Sequence, residues 1–304
     1  MLRVPNLEGG MQKMTHSDAI TFHGKVVLIT GAAGGLGEAH ACELAARGAA
    51  VFLVDLSENV TVVAADLAAA GRSAAAFRGN VASPPDCQSA VSACLAQFGR
   101  LDILVNNAGL LRDHSLEKQT DEEWQVVIDV HLGGTRNMTK AAWSALTVSH
   151  GRIINTTSAS GLYGNFGQTN YAAAKMGIVG FTRTCALEGA RHGIRAHCIA
   201  PIAWTPMTEK LWSGDVRDRT APGLVSPAVV YLASTACQES GLIIACGGGY
   251  FARVAVVESA GVRAPDVGTV TAEWIADQFS AIADLRGSDE PESVMYALNK
   301  AFGR

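Results

Sequence analysis

Short apolar runs alternate with longer helical segments along most of the chain. The first run, at 25–30, reads Lys-Val-Val-Leu-Ile-Thr, and an uninterrupted β-branched run of this kind is typical of a strand buried in a parallel sheet. Similar runs predict strands at 50–56, 74–79, 101–105, 152–156, 194–200 and 242–246. Helices are predicted after the first strand and at 62–70, 84–98, 120–145, 171–190 and 226–236. Strands that alternate with helices predict an α/β fold with a doubly wound parallel sheet.

The two ends of the chain depart from this alternation. Residues 1–21 are polar and lack the apolar core of a signal peptide, so we expect a disordered lead-in. Beyond the last strand, Thr271 is placed to cap a helix, and Pro291 fits the first turn of another. Helical spacing of apolar residues supports the first of these helices at Trp274, Ile275, Phe279, Ile282 and Leu285. We expect one domain at 22–249 and a helical C-terminal extension at 250–304, packed on that domain or on a neighbouring subunit.

Composition and charge narrow the possible functions. The chain has 304 residues, 48% of them hydrophobic, which is ample for a large core. A net charge of -4 without a basic run argues against nucleic acid as a partner, and no apolar run approaches the ~20 residues of a membrane helix. The seven cysteines form no Cys-x-x-Cys pair and do not cluster with histidines. We therefore expect reduced, mostly buried thiols in a cytoplasmic protein with no metal site.

A glycine-rich turn, Thr30-Gly-Ala-Ala-Gly-Gly-Leu-Gly37, follows the first strand and opens a helix. Glycines allow the backbone to approach a pyrophosphate, and the helix N-terminus supplies N–H donors. Asp55 ends the second strand, where a carboxylate accepts from both ribose hydroxyls and repels a 2′-phosphate. An aspartate that only caps a turn at the strand end is the alternative. No Arg or Lys lies at 31–37 or beside Asp55 in the chain, which favours NAD over NADP.

Tyr171 and Lys175 lie four residues apart, and Ser158 precedes the tyrosine. On a helix, this spacing places the phenol and the ammonium on one face. A phenol titrates near pH ~10, and a neighbouring ammonium favours the phenolate, which lowers the pKa of the tyrosine. The serine hydroxyl is then available to hold a substrate oxygen. A Tyr-x-x-x-Lys pair by itself is a common helix surface, and the nucleotide-binding turn earlier in the chain makes it a candidate acid/base pair.

These motifs together resemble the short-chain dehydrogenase/reductase superfamily over about residues 22–250. They are the glycine-rich turn, Asn106-Asn-Ala-Gly109, Ser158 and Tyr171-x-x-x-Lys175, in that order. The stretches at 106–113, 130–134 and 158–168 further resemble the (3R)-hydroxyacyl-CoA dehydrogenase branch, the part found in peroxisomal multifunctional enzyme type 2. The resemblance implies a Rossmann-like fold, NAD as cofactor and hydride transfer at a secondary alcohol.

The resemblance also implies roles for particular residues. Tyr171 is expected as the general acid/base, Lys175 lowers its pKa and holds the nicotinamide ribose, and Ser158 orients the reacting oxygen. His131 stands where much of the superfamily has an asparagine, and either supports a water path from the lysine or is a packed helical histidine. The residues expected to line the NAD groove are Gly31, Gly35, Leu36, Gly37, Asp55, Asn80, Val81, Asn106, Ala108, Gly109, Tyr171, Lys175, Pro201, Ile202 and Thr205.

Two apolar segments bear on the substrate. Tyr163, Phe166 and Gln168 lie between the serine and the tyrosine, either as a pocket wall or as a surface loop. A second set stands where the family has its substrate lid, and indicates either an apolar substrate or packing on the C-terminal extension. Its members are Trp204, Leu211 and Trp212.

We therefore expect an NAD-dependent oxidoreductase that interconverts a secondary alcohol and a ketone. The expected substrate is a (3R)-hydroxyacyl-CoA from fatty-acid or steroid side-chain oxidation. A 3-oxoacyl-carrier-protein reductase and a 17β-hydroxysteroid dehydrogenase are alternatives within the class, although Asp55 disfavours the reductase, which usually draws on NADPH. An NAD-sensing interaction protein without catalysis is the alternative from another class. The resemblance implies a homodimer or homotetramer, built through the helices at 120–145 and 171–190.

Overall fold

An eight-stranded sheet forms the centre of the chain in a computed structural model that describes residues 19–203 and 218–302. The strand order is β3-β2-β1-β4-β5-β6-β7-β8. The strands are β1 (Val26–Thr30), β2 (Ala50–Asp55), β3 (Ala74–Arg78), β4 (Ile103–Asn106), β5 (Arg152–Thr156), β6 (Arg195–Pro201), β7 (Ile243–Gly247) and β8 (Tyr250–Val254). Strands β1 to β7 are parallel, and β8 runs antiparallel to β7. The predicted doubly wound parallel sheet is confirmed.

Helices connect the parallel strands and cover the sheet. They are α1 (Gly35–Ala46), α2 (Asn59–Ala69), α3 (Pro84–Phe98), α4 (Asp121–Ile128), α5 (Gly134–Ser149), α6 (Ala159–Tyr163), α7 (Thr169–Ala190) and α8 (Ser226–Ala233). Thr120 and Glu123 form a capping box at the start of α4. The long helix predicted at 120–145 is interrupted, because a π-helical turn at Asp129–Gly133 separates α4 from α5.

Two apolar clusters pack against the sheet. Residues of β1 alternate between them, because successive side chains of a strand point to opposite faces. Val27 and Ile29 join the cluster that contains α1, α2 and α8. Val26 and Leu28 join the cluster that contains α3, α5 and part of α7. All five residues of β1 are buried, as the apolar run predicts.

The sheet extends one strand beyond the predicted end. Strand β8 pairs with β7 from Gly247↔Tyr250 to Ile243↔Val254, across a turn that contains Gly248 and Gly249, both with positive φ. The apolar-run criterion missed β8 because its residues are exposed or half-buried, as is common for a strand at a sheet edge. In the described residues, no helix is long and apolar enough to span a membrane.

Residues 255–302 form a compact unit of their own, separate from the unit that ends at Val254. It contains α9 (Ala272–Ile282), capped by Thr271 as predicted, and α10 (Val294–Phe302). Pro291 precedes α10 by three residues, so the prediction that it lies in the first turn of that helix is wrong. The ammonium of Lys300 holds the unit together, since it donates to the Asp289 carboxylate at 2.8 Å and to the Ser259 carbonyl at 2.7 Å.

Asp102 links the amino-terminal ends of β1 and β4. Its carboxylate accepts from Lys25 Nζ at 3.0 Å, from the Val26 N–H at 3.0 Å, and from Arg100 Nε and Nη2 at 2.7 and 2.6 Å. The side chain is only 4% exposed. Burial by itself would raise the pKa of Asp102, but these hydrogen bonds outweigh burial and hold the pKa below its ordinary value. Asp102 and Arg100 thus have a structural role at the start of β4.

We expect Asp102→Asn to lower the free energy of unfolding by about 2 kcal/mol at pH 7, because it removes the charge that three donors surround. The folded-state pKa is lowered, so this contribution is present above the pKa of the unfolded chain and is lost as pH falls through the folded value. Urea unfolding at pH 7 and pH 3 measures the difference, which should shrink at pH 3.

Glu43→Gln is the control for this prediction. It removes an i,i+4 partner of Arg47 that lies at 2.7 Å on a half-exposed helix surface. We expect this change to cost at most about 0.5 kcal/mol. Equal effects of Asp102→Asn and Glu43→Gln would contradict the structural role of Asp102.

Candidate active site

The glycine-rich turn and the loop after β4 pack backbone against backbone. Gly31 has φ +66°, and a Cβ at this position would lie 2.7 Å from Ala108 Cα. A Cβ at Gly37 would overlap the Gly31 carbonyl oxygen. Both positions therefore exclude any side chain. Gly35, at the start of α1, also has a positive φ, of 57°, which favours glycine. The turn consequently leaves the N-terminus of α1 open to a ligand at the carboxyl edge of the sheet.

Thr30 and Asn107 fasten this close approach. The Thr30 hydroxyl accepts the N–H groups of Asn107 and Ala108 at 3.0 and 3.2 Å. The Asn107 amide in turn donates to the carbonyls of Thr30 and Gly31 at 3.2 and 3.1 Å. We did not predict Asn107 as a site residue, although its position within the Asn-Asn-Ala-Gly motif was a usable signal. Its role here is to hold the turn against the loop.

Asp55 connects the ends of β1 and β2. Its carboxylate accepts the Ala33 N–H at 3.0 Å and the Ser57 N–H at 2.9 Å, so it does cap a turn. The side chain is half-buried, and two backbone donors leave further acceptor positions on its two oxygens. The turn-capping alternative and the ribose-binding prediction are therefore compatible.

Arg78 is the cross-strand neighbour of Asp55, a cation that is not adjacent to Asp55 in the sequence. Arg78 ends β3, and its Cα is the register partner of the Asp55 Cα. The two residues are far apart in sequence, so inspection of neighbouring positions alone could not detect the pair. Strand pairing brings them together.

The turn fits a dinucleotide. Gly31 and Gly37, which have no room for a Cβ, and the N-terminus of α1 together meet the requirements of a pyrophosphate. The half-buried carboxylate of Asp55 at the end of β2 meets those of a ribose diol. The residues present would hold an NAD-type cofactor through the glycine turn at 31–37 and Asp55. Bound there, such a cofactor supplies a nicotinamide ring that exchanges a hydride.

The other predicted groove residues occupy the same edge of the sheet with different exposure. Asn80 is half-buried and accepts the Ala82 N–H, and the buried Val81 packs where a Cβ on Gly134 would otherwise lie. Pro201 ends β6, and the N–H of Ile202 donates to the Cys246 carbonyl at 2.8 Å. These positions are compatible with a groove lining.

Asn106 differs from the rest of this set. It is 4% exposed, and its amide nitrogen donates to Thr139 Oγ1 at 3.0 Å and to Asn155 Oδ1 at 2.8 Å. Its side chain is therefore bonded within the protein interior. The structure gives Asn106 a role in joining β4 to β5 and α5. Thr205, together with Trp204, Leu211 and Trp212, lies outside the described residues.

Ser158, Tyr171 and Lys175 come together at the carboxyl end of β5. Ser158 caps α6, and its side chain accepts the Ser160 N–H at 3.2 Å. Tyr171 and Lys175 lie on α7, with Lys175 Nζ 5.5 Å from the centroid of the phenol ring. The lysine is 3% exposed and donates to the Thr156 carbonyl at 2.7 Å. The predicted spacing thus does place the phenol and the amine on one helix face.

The pKa values of Tyr171 and Lys175 differ from the expectation that a charged lysine lowers the pKa of the tyrosine. Burial raises the pKa of Tyr171, a hydrogen bond with Ser158 opposes this shift, and the charge of Asp113 adds to it. Burial lowers the pKa of Lys175 to about 7. In the protein without cofactor, Lys175 is therefore charged only in part at neutral pH and does not bring the tyrosine pKa below its ordinary value.

His131 lies in the π-helical turn, a rare element that is frequent at functional sites. Its ring meets the Tyr171 ring edge-on with centroids 5.1 Å apart. The Nε2 atom faces the backbone of Leu110, 2.7 Å from its carbonyl oxygen and 3.1 Å from its nitrogen. A Cβ on Gly109 would overlap the His131 ring, so the glycine makes room for the histidine.

Burial, together with the charge of Lys175, lowers the pKa of His131 to about 3, and its contact with Leu110 only partly opposes this shift. The ring is therefore neutral at physiological pH. Among the described residues, Nδ1 of His131 has no hydrogen-bond partner. The histidine is packed against Tyr171 and Gly109, as one alternative held.

The loop after β4 is tied to the segment before Tyr171. Gln168 donates to the Asp113 carboxylate at 2.7 Å, and the side-chain amide of Asn170 donates to the carbonyls of Arg112 and Glu123 at 3.0 and 3.2 Å. Asn170 is fully buried and was not singled out from the sequence. These bonds fix the start of α7 and with it the position of the tyrosine.

Comparisons with known proteins agree with this geometry. The short chain dehydrogenase family model matches residues 25–215. Peroxisomal multifunctional enzyme type 2 of mouse is 38% identical over 285 residues, which are 90% of this chain and 39% of that protein. A short-chain type dehydrogenase/reductase of Mycobacterium tuberculosis is 38% identical over 278 residues, which are 87% of this chain and 96% of that protein.

Solved structures lead to the same family. Full-length peroxisomal multifunctional enzyme type 2 from Drosophila melanogaster superimposes with a TM-score of 0.79 at 32% identity, covering 93% of this chain and 49% of that one. This chain thus spans less than half of the mouse and Drosophila relatives and nearly all of the mycobacterial one. The chain belongs to the short-chain dehydrogenase family, whose members are oxidoreductases that act on CH–OH groups.

We expect Lys175→Met to be more stable than the wild-type protein, because a buried amine is replaced by an apolar chain of similar length. The pKa of Lys175 is about 7 in the folded protein, well below that of an unfolded lysine. Between these values the unfolded chain binds the extra proton, so wild-type stability rises with pH in that range. We expect Lys175→Met to raise the melting temperature by several degrees, on the order of 5 °C, at pH 6, and we expect this gain to shrink towards pH 10.

Thermal unfolding at pH 6 and pH 10 checks this prediction, with Lys140→Met as the control. Lys140 is an exposed lysine on α5, and its replacement should not give the same gain. A Lys175→Met protein that melts below wild type at pH 6 would show that burial of the amine is not costly.

Proposed function

We propose that the protein is an NAD-dependent dehydrogenase that converts a (3R)-hydroxyacyl-CoA into the 3-oxoacyl-CoA in fatty-acid or steroid side-chain oxidation. The observation that carries this proposal is the meeting of Ser158, Tyr171 and Lys175 at the same sheet edge as the glycine turn and Asp55. The match to the mouse enzyme along 90% of the chain supports the acyl-CoA branch.

The residues take complementary parts in this reaction. Tyr171 removes the hydroxyl proton of the substrate, and Ser158 holds the same oxygen. The phenolate needs positive charge nearby, because burial raises the pKa of Tyr171. Lys175, with a pKa of about 7, supplies part of that charge at neutral pH, and its hydrogen bond to the Thr156 carbonyl holds the amine in place. In the reverse direction Tyr171 donates the proton to the ketone oxygen.

Exposed apolar side chains near the serine and the tyrosine support an apolar substrate. Leu116, in the loop after β4, is 70% exposed, and Tyr163 and Phe166, between Ser158 and Tyr171, are 71% and 92% exposed. A contiguous exposed apolar patch commonly marks a ligand or partner surface. A fatty-acyl or steroid side chain would cover them.

The test is NADH formation, measured by absorbance, from NAD and a series of (3R)-hydroxyacyl-CoA esters. The 3S isomers, a 17β-hydroxysteroid, and NADPH with a 3-oxoacyl-carrier-protein serve as comparisons. We expect turnover of the 3R esters with NAD. Turnover of the steroid alone would refute the acyl-CoA assignment and keep the chemistry, whereas reduction with NADPH alone would refute the NAD dependence.

We expect Tyr171→Phe to lower kcat by about 1,000-fold, because the variant keeps the ring and loses the proton-transferring group. NADH binding, followed by its fluorescence, should change little. Tyr231→Phe is the matched control, since it removes the same hydroxyl from an exposed tyrosine on α8. A Tyr171→Phe protein as active as the control would favour a non-catalytic NAD-binding role.

We also propose that the protein assembles as a homodimer or homotetramer through α5 and α7. Met176 and Leu187 on α7 are 43% and 58% exposed, and Val148 on α5 is 83% exposed.

We expect Leu187→Glu to lower the mass found by sedimentation velocity without loss of helical content, because a charge in an apolar interface opposes association. Val62→Glu on α2 is the control. Equal masses for wild type and Leu187→Glu would contradict an interface at that position.

The cysteines support the cytoplasmic location that we propose for the protein. All seven are free, and six of them are buried. Burial raises the pKa of Cys94 and of Cys246 to about 12, so these thiols stay protonated and unreactive. A chain with this many unpaired thiols suits a reducing compartment.

A further inference from the structure

Arg78 belongs to the same surface as the carboxylate proposed to bind the adenosine ribose. Asp55 ends β2 and Arg78 ends β3, and the two residues are register partners. Register partners on adjacent parallel strands project to the same face of the sheet. The N–H of Gly79 also donates to the Asp55 carbonyl at 2.9 Å, which fixes the spacing of the two strand ends.

The guanidinium is bonded to acceptors other than Asp55. Arg78 Nε donates to the Leu56 carbonyl at 3.0 Å, and Arg78 Nη1 donates to Glu58 Oε1 at 2.6 Å. Glu58 immediately precedes α2 in the loop that follows Asp55. The Asp55 carboxylate instead accepts backbone N–H groups. Glu58 thus determines where the arginine charge lies.

The balance of these charges bears on the 2′ position of the ribose. Asp55, Glu58 and Arg78 together carry one net negative charge, and a 2′-phosphate would add about 1.5 to 2 more. Without Glu58 the same surface would be neutral, and the guanidinium would have a free donor for a phosphate. Because Glu58 and Arg78 are 80% and 58% exposed, solvent screens their interaction, and a moderate effect is expected.

We propose that Glu58 is a specificity-determining residue for the cofactor: by holding Arg78, it keeps the guanidinium from binding a 2′-phosphate and strengthens the discrimination against NADP. Glu58 acts through Arg78 and is therefore a positioning residue. The proposal rests on the NAD preference proposed above, since a site that prefers NADP does not discriminate against it and Glu58 would then have no such discrimination to increase.

The test is the ratio of dissociation constants for NADPH and NADH, measured by calorimetry with the full-length protein. Glu58→Gln should lower this ratio about 3- to 10-fold, mainly through tighter NADPH binding. In an Arg78→Gln background, the same change should lower the ratio by less than about 2-fold, because the cation that Glu58 restrains is gone. A purely structural role would weaken both cofactors alike and leave the ratio unchanged.

Glu43→Gln is the matched control, because it also removes one negative charge from a carboxylate bonded to an arginine, on α1. The ratio of the dissociation constants for NADPH and NADH should be the same in Glu43→Gln as in the wild-type protein. An unchanged ratio in Glu58→Gln, or an equal drop in both backgrounds, would overturn the role of Glu58. If the wild-type protein bound NADPH more tightly than NADH, the proposed NAD preference would be refuted. This outcome is measured on the wild-type protein alone, so it is distinct from a failure of the role proposed for Glu58.

Discussion

The contact between the glycine turn and the loop after β4 is the constraint on which the rest of the site depends. Gly31 lies against the backbone of Ala108, and the Thr30 hydroxyl binds two N–H groups of the same loop. Because no side chain fits between them, the ends of β1 and β4 form one rigid edge. The open N-terminus of α1 and the Gly109 position under His131 both follow from this contact.

A second consequence of close packing is the burial of Lys175. Its amine has the Thr156 carbonyl as an acceptor and lies near the phenol of Tyr171. The same burial that lowers the lysine pKa to about 7 also raises that of the tyrosine. Burial thus favours the neutral form of both the amine and the phenol, because each charged form loses its hydration.

The periodic features of the chain were enough to predict the sheet, most helix positions and the shared helix face of Tyr171 and Lys175. Buried parallel strands need continuous apolar runs, and capping residues such as Thr120 and Thr271 act within one helical turn, so both leave local signals. Strand β8 left no such signal because it lies at the sheet edge with exposed side chains. The π-helical turn at Asp129–Gly133 was likewise not predicted, and its His131 ring packs against Leu110 and Tyr171, which are distant in the sequence.

The sequence by itself determined the α/β class, the glycine turn and the four-residue spacing of Tyr171 and Lys175, because each depends on residues close together in the chain. Only the tertiary structure decided which charges meet. It brought Arg78 against Glu58 and buried Asn106 between β4 and β5. It also set the pKa of Lys175, because burial depends on atoms contributed by distant segments. Long-range pairing and desolvation are properties of the folded chain, and no local pattern records them.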